Sequence, residues 1–171
     1  MAPKDESMAT PELLDRAEAL CARRGAQLTA LRRQVLALVL GSEQPLGAYA
    51  LLDKLKAERA GAAPPTVYRA LDFLLDQGLI HKVERLNAFV GCTDALDHPA
   101  DCDCPAEHDH PHQFLICKRC GATVEISDHA VSHALEKAAA RAGFALARAT
   151  VEIEGVCGKC SAPAAQPIGQ Q

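Results

Sequence analysis

The sequence carries little net charge and no long apolar run, and both shortfalls narrow what it can do. A net charge of −4 over 171 residues argues against a protein that coats nucleic acid by bulk electrostatics alone. No stretch approaches the roughly eighteen uninterrupted apolar residues that a membrane span needs. Met1 to Thr10 is polar and lacks the apolar core of a secretory signal, so the chain is expected in the cytoplasm. Enzymatic signatures are missing as well. There is no H-E-x-x-H, neither C-x-x-C follows a proline, and no histidine has the glutamate partner that zinc deaminases use. Gly-rich phosphate loops are absent too. Neither catalysis, a small-molecule substrate nor a membrane partner is expected.

What is present is a 49% hydrophobic composition, enough to bury a sizeable core in one domain or, on our reading, two small ones. Charge is unevenly divided. Residues 1 to 91 hold twelve Lys/Arg against eleven Asp/Glu, a balance of +1, and residues 92 to 171 hold six against eleven, a balance of −5. If either half meets phosphates, it is the first. There Arg23, Arg24, Arg32 and Arg33 cluster around one helix junction, which reads equally as a local basic patch or as a solvated face.

The fold class expected is α+β, with an N-terminal winged helix-turn-helix domain (1–92), a ligand-rich linker (93–112), a small C-terminal mixed α/β dimerisation domain (113–160) and a disordered tail (161–171). Apolar spacing gives helices over Pro11–Arg24, closed by Gly25, and from a Thr29 cap to Gly41. A third runs from about Gly47 to Ala60, and a fourth from Pro65 to Gln77 with Gly78 just beyond. On the fourth, Val67, Leu71, Leu74 and Leu75 are expected inward, which leaves Thr66, Tyr68, Arg69 and Asp72 outward near the N-terminus. Strands Leu79–Glu84 and Ala88–Cys92 follow as a hairpin around Arg85-Leu86-Asn87. Helix-turn-helix logic puts the fourth helix in the major groove of double-stranded DNA, with Arg69 placed to read a guanine and Thr66 and Tyr68 suited to phosphate or thymine-methyl contacts. A plain helical bundle with a hairpin would share the pattern. The second domain is expected to hold strands Gln113–Ile116 and Thr123–Ile126, a helix Asp128–Arg141 ended by Gly143, and a longer strand Phe144–Glu154.

Two constellations carry the chemistry. Cys117-Lys118-Arg119-Cys120 and Cys157-Gly158-Lys159-Cys160 each set two thiolates on a turn after a strand, and two such pairs can converge tetrahedrally on Zn²⁺. A redox C-x-x-C is the rival, but it normally opens a helix and does not come twice. The second set is His81, Cys92, His98, Cys102, Cys104, His108, His110, His112 and Glu125, far more soft and borderline ligands than an ordinary linker holds. An ion held by His81 and Cys92 from the wing and Glu125 from the second domain would fix the angle between domains, and a thiolate in the set favours zinc. His129 and His133 lie i, i+4 on one helix with no third ligand evident; solvated histidines are the commoner outcome.

Pro64-Pro65-Thr66-Val67-Tyr68-Arg69-Ala70-Leu71-Asp72-Phe73-Leu74, followed by Gly78-Leu79-Ile80-His81-Lys82-Val83-Glu84, resembles the recognition helix and wing of the ferric uptake regulator family, and of its zinc uptake regulator branch in particular. The paired C-x-x-C motifs resemble that family's structural zinc site, and the resemblance covers roughly Pro11 to Cys160. It implies a homodimer that, loaded with zinc, represses zinc-uptake genes from palindromic operators; an iron-, manganese- or thiol-redox-sensing regulator of the same fold is the alternative. By position it implies DNA contact at Tyr49 and Arg69, structural zinc on Cys117, Cys120, Cys157 and Cys160, and at least one regulatory zinc on His81, Cys92, His110 and Glu125. The segment Thr93 to Asp109 is longer than the family's compact linker. His112 could therefore replace His110, and His98, Cys102, Cys104 and His108 could form a further site.

Overall fold

The computed structural model describes residues 10–59, 61–92, 112–146 and 149–161. They form two compact units, divided between His110 and Pro111. Most of the linker, with His98, Cys102, Cys104, His108 and His110, and the tail from residue 162 onward lie outside the described residues.

The first unit contains helices α1 (Thr10–Arg23), α2 (Ala30–Leu40), α3 (Ala48–Glu58) and α4 (Pro64–Asp76), with strands β1 (Leu46–Gly47), β2 (Ile80–Val83) and β3 (Ala88–Gly91). Local sequence accounts for the boundaries. Thr29 caps α2, its hydroxyl oxygen accepting from the Arg32 amide at 3.5 Å. Two prolines, Pro64 and Pro65, open α4, where no intrahelical amide is lost. At its far end Gly78 takes φ +66°, and the amides of Gly78 and Leu79 bond the carbonyls of Leu75 and Leu74. That paired closure requires a left-handed residue, which glycine supplies without strain.

The three strands form an antiparallel sheet ordered β1-β3-β2. A single 3₁₀ turn, Glu84–Leu86, joins β2 to β3, and Asn87 leaves it at φ 45°, a conformation Asn tolerates better than most residues. The sequence pattern does not reveal β1, because two residues are too short to show a period. Leu14, Ala17, Leu36, Leu51, Leu55, Leu71, Leu74 and Ile80 are among the side chains of one continuous core drawn from all four helices and the wing. Val67, Leu71 and Leu74 are inward as expected, Leu75 is half-buried and packs against the same core, and Ala70 joins the buried face. The small alanine allows close helix contact, so the buried face centres slightly away from the bulkier leucine. Gly91 also marks a close approach: a Cβ there would lie 2.4 Å from Leu40 Cδ2, so a larger residue would require the Leu40 side chain to shift.

The second unit contains β4 (His112–Cys117), β5 (Thr123–Ile126), helix α5 (His129–Arg141) and β6 (Thr150–Gly155), followed by a helical turn, Gly158–Ser161. The sheet order is β5-β4-β6. The β4–β5 pair is an antiparallel hairpin, whereas β6 returns parallel to β4 after a crossover through α5. Asp128 caps α5, its carboxylate accepting from the amides of Ala130 and Val131. The expected long strand from Phe144 is corrected: β6 begins at Thr150. Gly143 has φ +78°, and the Phe144 amide is already bonded to the Ala139 carbonyl. Phe144 therefore belongs to the closure of α5 and cannot join a ladder there. No helix among the described residues is long and apolar enough to cross a membrane.

Candidate metal centres and DNA-facing helix

The C-terminal ends of two neighbouring parallel strands build the four-cysteine centre. Cys117 closes β4 and stands opposite Gly155 at the end of β6, so Cys157 emerges beside it although 40 residues separate the two in sequence. Cys117, Cys120, Cys157 and Cys160 offer sulfurs that all lie within 4.8 Å of one another. Cys120 and Cys157 are 3.7 Å apart, against an edge of about 3.8 Å for a tetrahedron with metal–sulfur bonds of about 2.3 Å. The donor set and spacing fit zinc. The second pair differs from expectation in one respect, because Cys157 leads into a helical turn, a setting also used by redox pairs. The first pair lies on a non-helical turn, closed by the Gly121 amide on the Cys117 carbonyl.

Electrostatics favour loss of one proton from this cluster and resist loss of another. The amides of Cys157, Cys120 and Arg119 point at the Cys117 sulfur and lower its pKa from 9.0 to about 6. Cys160 is pushed up to about 12, because its thiol bonds the Cys120 and Cys157 sulfurs and a further negative charge is resisted. Four converging thiols cannot all ionise unaided; a divalent cation removes the conflict. Arg119, which sequence reasoning passed over, donates from Nη1 to the Cys160 carbonyl and ties one turn to the other. The only available signal was a cation lying between two ligands.

His81 and Cys92 belong to the wing of the first unit, and both are buried. His81 pairs with Val90 across the hairpin, and the Cys92 amide bonds the Leu79 carbonyl. This register places the two side chains diagonally on one face, with ligand atoms within 4.8 Å. Glu125 is half-buried in the second unit, on β5 opposite Phe114. His112 opens β4. His129 and His133 are both exposed on α5.

On α4 the two faces separate cleanly at the N-terminal end. Val67, Ala70, Leu71 and Leu74 are buried, whereas Tyr68 is 44% exposed, Arg69 and Asp72 are exposed and Thr66 is partly so. Tyr49, at the start of α3, is 72% exposed. Of the arginines around the α1–α2 junction, Arg24, Arg32 and Arg33 make contacts within the protein, and of these three Arg33 is the one whose charge is paired. Arg33 is paired with Asp15 and Glu18, Arg32 donates to the Gln27 carbonyl, and Arg24 donates to that of Gln77.

The comparisons with known proteins agree with this geometry. The family model described as the ferric uptake regulator family matches residues 23–154. The chain is 42% identical over 155 residues to the zinc uptake regulation protein of Escherichia coli (strain K12), covering 91% of this chain and 85% of that one. It is 28% identical over 139 residues to the protein of the same name from Mycobacterium tuberculosis (strain CDC 1551 / Oshkosh), covering 80% and 95%. Among solved structures, a zinc uptake regulator complexed with zinc and DNA superposes with a TM-score of 0.79 at 42% identity, covering 90% of this chain and 96% of the other. The holo form of XcZur follows with a TM-score of 0.73 at 41% identity, covering 89% and 98%. The fold is therefore α+β as expected, and the chain belongs to the ferric uptake regulator family.

Proposed function

We propose that this chain is a zinc-responsive transcriptional repressor that binds palindromic operators of zinc-uptake genes as a zinc-loaded homodimer in the cytoplasm. The observation that carries the reading is α4, a helix with one face locked into the core and Tyr68 and Arg69 turned to solvent at its tip. Support comes from the similar protein solved with zinc and DNA and from the four-sulfur cluster. The role is regulatory, not enzymatic.

Arg69 reads a guanine edge in the major groove, and Tyr49, Thr66 and Tyr68 contact backbone or methyl groups beside it. Cys117, Cys120, Cys157 and Cys160 hold a structural zinc and so complete the second unit. His81, Cys92, His110 and Glu125 hold a regulatory zinc, with His112 able to stand in for His110. Zinc bound there supplies a cross-link between wing and dimerisation unit, and sensing follows if the linked arrangement presents the two α4 helices of a dimer to successive major grooves. By linkage, operator DNA then tightens zinc binding to the same degree. The dimer has a ready surface in the exposed apolar row Leu115, Val124 and Ile153, which adjacent strands align in register.

The test is fluorescence anisotropy on a family-type operator duplex at fixed salt, with free Zn²⁺ buffered upward and Fe²⁺ and Mn²⁺ run in parallel. Tight binding that appears with zinc and not with the other ions is the expected result. Binding indifferent to every metal would refute the sensor, and a response to iron or manganese at lower concentration would reassign it.

A further inference from the structure

The arginine cluster is left over once α4 is assigned to reading DNA. Arg32 and Arg33 occupy the first turn of α2, the positive end of the helix dipole, where a cation is disfavoured. A sequence that breaks a local rule at two consecutive positions has a compensating gain elsewhere. For Arg33 the gain is its pair of ion contacts, at 2.5 Å to Asp15 and 2.8 Å to Glu18, which tie α2 to α1. For Arg32 it is the Gln27 carbonyl at 2.6 Å and the ring of Phe73 on α4, whose centroid lies 3.5 Å from the guanidinium carbon. Arg24 follows α1 and donates to the carbonyl of Gln77, the residue that ends α4. There the dipole is negative and a cation is welcome.

These contacts are directional, and the rest of the attachment of α4 is not. Burial of Val67, Ala70, Leu71 and Leu74 decides which face points inward, but hydrophobic attraction scales with area and resists small slides along the axis only weakly. Hydrogen bonds to base edges tolerate little displacement, since they weaken beyond about 3.2 Å. A helix that reads bases therefore needs anchors that fix its register, and Phe73 and Gln77 are where this fold attaches them.

We propose that Arg24 and Arg32 are positioning residues for the recognition helix. They hold α4 in the register that base reading requires, and, committed to Gln77, Gln27 and Phe73, they are not the phosphate contacts that their charge suggests. The proposal rests on the operator-reading role of α4 given above.

The test uses the full-length zinc-loaded protein with operator and scrambled duplexes across a salt series. Arg24→Ala and Arg32→Ala each weaken operator binding by roughly three- to tenfold, while affinity for scrambled DNA and the slope of log K against log salt stay at wild-type values. Arg24→Lys, which still donates to the carbonyl, restores most of the loss. Arg33→Ala lowers the thermal midpoint without changing operator preference, because its partners are on α1. Equal loss on both duplexes with a slope flatter by about 0.9 would make the residue a phosphate contact and overturn the proposal; unchanged operator preference would overturn it too. Hydrogen exchange on the DNA-free protein separates this from the reading beneath it. Arg24→Ala speeds exchange in the last turn of α4 if the brace exists. Wild-type exchange in that variant, with operator preference present in the parent, sinks the brace alone. Faster exchange without operator preference even in the parent sinks the repressor reading, and the register role with it.

Discussion

The first unit gathers side chains from four helices and its wing into one apolar cluster reaching from Leu14 to Phe89. In the second unit the buried side chains among the described residues are Gln113, Phe114, Ile116 and Cys117, all on β4, while Leu115, Val124, Phe144, Leu146 and Ile153 stand exposed. One unit is finished by its own hydrophobic burial. The other leaves apolar surface exposed and carries the four-sulfur cluster, so under the proposed function a zinc ion and a partner would complete it. A core that closes on itself gives a rigid reading head, and a unit completed from outside gives a place where zinc supply can act.

The largest effect that would break this contrast falls on the metal. Cys117→Ser should remove the structural zinc and with it apparent stabilisation on the order of 10 kcal/mol; metal analysis and limited proteolysis should show the second unit digested while the fragment carrying α1 to β3 persists. If both units melt together, the first is not self-sufficient. Next comes Leu71→Ala, which opens a cavity at a fully buried site and should lower the urea stability of the first unit by about 3 kcal/mol, with zinc content unchanged. Arg69→Ala should weaken operator binding by about 2 kcal/mol in an anisotropy titration and leave both melting transitions in place; equal loss on random DNA would contradict base reading. Ile153→Lys puts a charge into the exposed apolar row and should raise the dimer dissociation constant at least about tenfold, roughly 1.4 kcal/mol, by sedimentation.

A last effect is a pH dependence confined to the metal-free protein. Cys117 ionises near 6 in the folded cluster against an ordinary 9.0, so between those values the unfolded chain binds more protons and stability rises with pH. Cys160, raised to about 12, works in the opposite sense above about 9, where stability falls again. The urea midpoint should therefore be higher at pH 8.5 than at pH 6.5. A flat profile would mean that the amides around Cys117 do not favour its thiolate.

Much of the fold was legible in the sequence because its signals are local. The Thr29 cap, Pro65 at the start of α4, Gly78 at its end and the period of Leu71 and Leu74 each act within a few residues, and the helices lie where those signals put them. The paired cysteines were legible for the same reason. What escaped depends on tertiary contact. Nothing near Phe144 announces that its amide will close α5, and nothing near Arg32 announces Phe73 as its partner. A charge count sees four arginines and cannot see that Arg24, Arg32 and Arg33 are engaged within the protein. Ala70 was not singled out as a core residue because periodicity weights residues by hydrophobicity, whereas close helix contact also favours small ones.

The parallel return of β6 beside β4 has a consequence in the unfolded chain. Because the two C-x-x-C turns meet only after the excursion through α5, an ion gripping both closes a loop whose ends, Cys120 and Cys157, are 37 residues apart. Closing a loop of that length permanently would remove conformational freedom equivalent to about 4 kcal/mol at room temperature. A zinc ion held there would act as a cross-link that can be withdrawn: it would tie the two turns together while bound, need no oxidant to form, and be lost when a competing ligand takes the ion away.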